Sequence, residues 1–441
     1  MEKRITFLQK LFYGQGCLGQ NVVNLAVVTW VIYFFAGGGG RPPLIPIALA
    51  GVILGIGRIL DIITDPLIGY WSDRSNYKSG RRRPFILWGA PLLAISFFLL
   101  WVPPSVEESW LNVIWLFVFI NFFFVMLTVT AVPYRSVVPD IAPHSRERIS
   151  VSAWMAVFGT VGVMIASIGS GPVIENFGYP TMGAILGLVV LISFWLSLLG
   201  VKEQPRSEAD LATALSLKES VIHTLKNRHF LAFATAIISF QVGFQVFMIV
   251  LPFFVTVILK ETEAQVALYQ GAFIVIMVAA LPLWSSIGNR IGKRRGQLLA
   301  LLLVAVFYPL YFFIGTLPVV PANIQALIYF AILAIPISGL YVFPNALVGD
   351  IADYDELKTN KRREAMYYAG FGFMEKAAWA ISAFLVSIIF PVFGFTADNT
   401  LGIRLVGPIV GVISILGFIG FRYYNLPDTI QGKTLEEVDN V

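Results

Sequence analysis

The chain has 441 residues, 57% of them hydrophobic and 13% charged, with a mean hydropathy of +0.78 and a formal net charge of +5. Soluble domains are about 45–50% apolar and about 25% charged, so this composition excludes a disordered chain, a nucleic-acid-binding domain and an ordinary cytosolic enzyme. The single cysteine, Cys17, rules out an intramolecular disulfide, and His144, His223 and His229 lack the spacing of a metal site.

In chain order, a charged start, MEKRITFLQK, runs directly into a long apolar segment without a small-residue cleavage site, which predicts a retained first helix. A bilayer crossing needs about 20 mostly apolar residues. Twelve stretches meet this: 11–36, 44–72, 84–103, 110–134, 151–175, 180–201, 229–258, 266–288, 296–316, 322–346, 366–393 and 402–425. The four glycines Gly37 to Gly40 after the first stretch read as an outer turn, since no strand precedes them and no Lys-Ser/Thr follows.

The basic residues alternate with these spans. Of the 31 Lys and Arg, 26 fall on the termini and on the even-numbered connections, against three (Arg41, Lys260, Arg404) on the other side. This positive-inside pattern places both termini in the cytoplasm. The +5 charge is therefore an orientation signal.

The polar connection 202–228 divides the spans into two sets of six. Val138-Pro139-Asp140-Ile141-Ala142 recurs 210 positions later as Val348-Gly349-Asp350-Ile351-Ala352. Gly80-Arg81-Arg82-Arg83 is echoed 212 positions later by Gly292-Lys293-Arg294-Arg295. Duplicated halves are a transporter signature, with the substrate near the bilayer midplane. The expected architecture is an all-α membrane protein of twelve transmembrane helices in two pseudo-symmetric six-helix bundles. Its parts are an N-terminal bundle 1–201, a cytoplasmic linker 202–228, a C-terminal bundle 229–425 and a tail 426–441.

Charges inside spans cost roughly 2.5–3.5 kcal/mol each on insertion scales and call for a reason. In the second span Arg58, Asp61 and Asp65 follow at i, i+3 and i+7, so they form one helical stripe with Thr64 alongside. Two carboxylates one turn apart, with a hydroxyl, suit a small hard cation or a shared proton. The bland alternative is an Arg–Asp network pinning helices together. Glu375-Lys376 interrupts the eleventh span, and Lys376 is a candidate partner for Asp61 or Asp65. The first span carries the amides Gln15, Gln20, Asn21 and Asn24, suited to sugar hydroxyls and equally to helix–helix hydrogen bonds. Tyr134, Arg135 and Trp154 are candidate cavity residues. Asp73, Arg74, Arg81 and Asp140 are the expected cytoplasmic gate. No nucleophile–base pair, Walker sequence or Cys/His cluster is present. The chain therefore reads as a non-enzyme, without a cofactor or resident metal, driven by an ion gradient of Na+ or H+.

With Asp73-Arg74 and Gly80-Arg81-Arg82-Arg83, the two halves resemble the major facilitator superfamily. Within it, Arg58-Ile-Leu-Asp61-Ile-Ile-Thr64-Asp65-Pro66-Leu-Ile-Gly69 is similar to the second-helix motif of the glycoside–pentoside–hexuronide:cation symporters, the family of the melibiose permease. Tyr13-Gly14, Val132-Pro133-Tyr134 and Lys376 fit as well. The resemblance implies a cation site at Asp61, Asp65, Thr64 and Thr128, with Lys376 and Arg58 in coupling. Thr64 stands where the melibiose permease has an asparagine, which leaves Na+ and H+ both open. Asn21 and Ala131 replace its two sugar-binding aspartates, and Arg135 replaces a tryptophan, which argues against melibiose itself. Gly80 to Ile86, with Arg135, is similar to plant-type sucrose transporters. A sugar or glycoside, held by Asn21, Gln20, Arg135 and Tyr134, is thus the favoured substrate. Alternatives are a sodium-coupled lysophospholipid transporter, or an uncoupled lipid scramblase or solute sensor. The expected partners are the small-molecule substrate and the bilayer, with the monomer as the working unit.

Overall fold

The computed structural model describes residues 5–75, 77, 80–142, 144–201, 227–316, 318, 320–359 and 363–427. The expected linker 202–228, except its last two residues, and most of the tail 426–441 lie outside the described residues, as do Lys78 and His223.

Among the described residues the chain is helical, with one isolated bridge between Thr396 and Asn399. The reason is physical: a lipid-exposed backbone finds no water, so each amide must pair within its own segment. The helices are α1 (Phe7–Phe35), α2 (Ile47–Arg74), α3 (Arg83–Leu99), α4 (Trp110–Ser136), α5 (Val138–Ile141), α6 (Ser145–Ser197) and α7 (Arg228–Phe253). They continue as α8 (Glu263–Ile291), α9 (Lys293–Phe307), α10 (Ala322–Val342), α11 (Pro344–Thr359), α12 (Glu364–Phe393) and α13 (Leu401–Phe421). A π-helical turn, Phe254–Ile258, extends α7, and a 3-10 segment, Tyr308–Phe313, extends α9.

Among the described residues ten helices are long and apolar enough to cross a membrane. Two of the twelve expected spans account for the difference. The fifth and sixth run together in α6, where Gly178 at φ 83° marks the only non-helical backbone, a left-handed position suited to glycine. The third is α3, whose 17 residues fall short in length. The tenth expected span, 322–346, lies within one apolar helix, Ala322–Thr359, in which α10 ends at Val342 and α11 continues from Pro344 after the helical backbone of Phe343. Proline lacks the amide needed to continue the ladder, so it fits a first-turn position.

The chain sorts into two compact units. The first comprises Met1–Glu208, Met248–Gly271 and Val386–Pro391. Within it α1 packs along α6, and α2 and α3 pack on α4. A capping box starts α1: Gln9 N–H donates to Thr6 Oγ1 at 3.3 Å, and Thr6 N–H to Gln9 Oε1 at 2.9 Å. Small residues bring α1 and α6 together, with Gly162 lying on the Leu18 backbone. Trp30 Nε1 also donates to Ser170 Oγ at 2.8 Å.

The second unit comprises Ala209–Phe247, Ala272–Leu385 and Val392–Val441. Here α9 packs on α13 and α10. Gly339 of α10 lies under the Trp284 indole, whose Nε1 donates to Ile335 O at 2.6 Å.

Candidate functional site

The acid stripe of α2 faces α4 inside the first unit. Thr128 Oγ1 lies 2.7 Å from Asp61 Oδ1 and 3.1 Å from Asp65 Oδ1. Thr64 Oγ1 donates to the Asp61 carbonyl at 3.2 Å and stands 3.5 Å from Thr128 Oγ1. Asp61 and Thr128 are each 2% exposed, and Asp65 is half-buried. Carboxylate, hydroxyl and carbonyl oxygens thus converge within one turn of α2 and the facing turn of α4, an oxygen set suited to a hard cation or a proton.

Arg58 sits one turn below. Its Nη1 is 3.7 Å from Asp61 Oδ2, its Nη2 donates to Asn24 Oδ1 at 3.3 Å, and its Cζ lies 4.2 Å from the Phe124 ring centre. At 4% exposure the guanidinium combines an ion pair, a hydrogen bond and a cation–π contact.

The expected substrate residues occupy different environments. Asn21 Nδ2 donates to Gly159 O at 3.0 Å, which commits one amide proton to the α1–α6 contact. Gln20 Oε1 is buried, with no hydrogen-bond partner among the described residues. Arg135 is exposed at the end of α4. Tyr134 is 0% exposed, stacks on Tyr13 with ring centres 4.7 Å apart, and donates its hydroxyl to Tyr13 O at 2.8 Å. It packs α4 against α1 and has no free face for a ligand. Trp154 meets Phe7 edge-on at 5.4 Å. Lys376 is half-buried on α12, in the second unit.

The expected gate residues take different partners. Arg74 turns back onto Tyr70 of its own helix, with Cζ 3.9 Å from the ring centre. Arg82 takes the central place: Nε donates to Asp73 Oδ1 at 2.9 Å and Nη1 to Asp140 Oδ2 at 3.0 Å. Arg81 Nη2 adds a 3.3 Å contact to Asp140. In the second unit Lys293 Nζ pairs with Asp350 Oδ1 at 2.6 Å. The repeated sequences therefore build the same kind of ion pair in both units, and Gly80 and Gly292 share a positive φ, 114° and 85°. Three consecutive arginines hide which one turns inward. The repeat offset, which aligns Lys293 with Arg81, is the signal that points to this loop.

A second cluster went unforeseen. Arg41 Nη2 donates to Tyr179 Oη at 2.8 Å and pairs with Glu263 Oε1 at 3.2 Å, all within the first unit. Its partners lie 138 and 222 residues away in sequence, so no local pattern announces it.

An uncharacterized symporter of Bacillus subtilis, YjmB, is 26% identical and covers 96% of this chain and 93% of its own. The isoprimeverose transporter of Lactiplantibacillus pentosus is 21% identical over 99% of this chain and 92% of its own. A sodium-dependent lysophosphatidylcholine symporter of Danio rerio is 22% identical over 76% and 69%. In fold the chain is similar to a crystal structure of the peptide transporter POT, with a TM-score of 0.71 at 13% identity over 95% of each chain. The family model for MFS/sugar transport proteins matches residues 12–427, and the chain belongs to that family of multi-pass membrane transporters.

Proposed function

We propose that this protein is a secondary transporter that couples a cation, Na+ or H+, to the symport of a sugar or glycoside. One observation carries the reading: Asp61, Asp65, Thr64 and Thr128 bring carboxylate, hydroxyl and carbonyl oxygens together between α2 and α4. A cation there would bridge the two carboxylates, which the single Thr128 proton cannot do. Asp61 and Asp65 bind the cation, and Lys376 and Arg58 couple its occupancy to movement of the two halves, 1–201 and 229–425, in alternating access. Asn21, Gln20 and Arg135 serve the substrate, and Tyr134 supports them from behind. The Arg82–Asp73–Asp140 network and Lys293–Asp350 act as the cytoplasmic gate, with both termini on that side. The protein works as a monomer, without a cofactor, and catalyses no covalent step. The family match supports the sugar, and the named symporters among the relatives support coupling.

A lysophospholipid is the second reading, favoured by the Danio rerio relative. Counterflow in proteoliposomes with isoprimeverose, other glycosides and lysophosphatidylcholine, with and without a Na+ or pH gradient, separates the two. Asp61→Asn and Asp65→Asn should each abolish accumulation against a gradient. Normal accumulation by either variant rejects the coupling assignment, and flux of the lysophospholipid alone rejects the sugar.

A further inference from the structure

The end of α8 and the start of α9 border an open groove of about 630 Å³ in the second unit. That volume lies within the ~300–1,000 Å³ usual for ligand sites. One side is basic and polar, with Arg290, Lys293, Asn289 and Ser285, and the other is apolar, with Val342 and Ala346. No Asp or Glu is among the lining residues.

The internal repeat explains the excess of positive charge. In the first unit two carboxylates, Asp73 and Asp140, hold Arg82. Asp73-Arg74 is matched in the second copy by Asn289-Arg290, each pair standing ahead of the basic run. An amide therefore replaces one of the two acids. The other has its counterpart in Asp350, whose Oδ1 is 2.6 Å from Lys293 Nζ.

The paired arginines differ as well. Arg74 lies on Tyr70, four residues earlier in its own helix. Four residues before Arg290 stands Ser286, which offers no ring. Arg290 is exposed and, among the described residues, has no ion pair, hydrogen bond or ring contact. Its guanidinium is free to receive an anion, and the planar fork matches phosphate oxygens in pairs.

The place of the groove selects the anion. Arg290 sits in the last turn of α8, a helix long and apolar enough to cross a membrane. The expected orientation puts this end on the cytoplasmic face, where basic pockets between membrane helices take anionic headgroups. A soluble anion would use the charged side alone. A lipid also uses the apolar side, because its chains need Val342 and Ala346 as much as its phosphate needs Arg290. We propose that this groove binds an anionic phospholipid, with the phosphate on Arg290 and Lys293, the headgroup oxygens on Asn289 and Ser285, and an acyl chain along Val342 and Ala346. The site is separate from the acid cluster of α2 and does not depend on which solute is carried.

The test is native mass spectrometry of the purified full chain, titrated with phosphatidylglycerol or phosphatidylcholine and read on the first lipid bound. Phosphatidylglycerol should bind about 10-fold more tightly. Arg290→Gln should remove most of that preference, and Arg290→Lys should keep part of it. Ala346→Trp, at an exposed position on the apolar side, should weaken phosphatidylglycerol several-fold without changing a charge. Arg295→Gln, exposed but outside the groove, should bind as the wild type does. Gel filtration and melting temperature certify each variant. Equal losses in Arg290→Gln and Arg295→Gln would reduce the effect to general surface charge and overturn the site. Wild-type binding by both Arg290→Gln and Ala346→Trp would overturn it too. Glycerol 1-phosphate in hundred-fold excess should leave the lipid bound. Full displacement would make the groove a site for soluble phosphates and overturn the lipid.

Discussion

Thr128 Oγ1 stands between two carboxylates, 2.7 Å from Asp61 Oδ1 and 3.1 Å from Asp65 Oδ1. A hydroxyl has one proton to donate, so it cannot satisfy both acids at once. The shorter contact belongs to Asp61, the more buried of the pair.

That geometry predicts the behaviour of Thr128 variants. Thr128→Val keeps the shape and removes the hydroxyl. The Thr128 hydroxyl oxygen is one of the ligands offered to the cation, so its loss should raise the half-saturating cation concentration for transport about 10-fold. Thr128→Ser keeps the hydroxyl and should stay within about three-fold. Cation titrations of uptake decide it: equal loss in both variants would place the effect in packing.

Arg58 offers a second measurement. Removing one partner of a buried ion pair costs about 3–5 kcal/mol, because the remaining charge is stranded. Arg58→Met should therefore lower the melting temperature clearly. Arg58→Met with Asp61→Asn should lower it less than Arg58→Met does alone, since the double change strands no charge. Additive losses in this cycle would mean that the two residues do not act together.

The cytoplasmic loop separates two arginines that look alike in sequence. Arg82→Ala removes contacts to both Asp73 and Asp140 from a residue 5% exposed, whereas Arg74→Ala removes only a contact to Tyr70 on an exposed surface. Arg82→Ala should lower stability by more than 1 kcal/mol or so, and Arg74→Ala by under ~0.5 kcal/mol. Thermal unfolding in detergent ranks them, and a reversed order would refute the assigned network.

Much of this protein is legible in one dimension because the relevant spacings are local. Apolar runs about 20 residues long declare membrane helices, basic loops set the expected orientation, and helical periodicity lines up Arg58, Asp61 and Asp65 on one stripe of α2. Residues 80–142 and 292–352 repeat in sequence, and each copy holds a basic–acidic pair in its own unit. What faces each stripe was not written locally. Thr128 joins the acids because α4 is rotated to present it, 67 residues from Asp61. Tyr134 turns into the α1 contact while its neighbour Arg135 stays exposed, since adjacent residues point about 100° apart on a helix. The same rotation question picks Arg82 from a run of three arginines. Spacing along a helix is set by covalent geometry, but the neighbour that each face meets is set by how whole helices pack. That choice belongs to the tertiary structure.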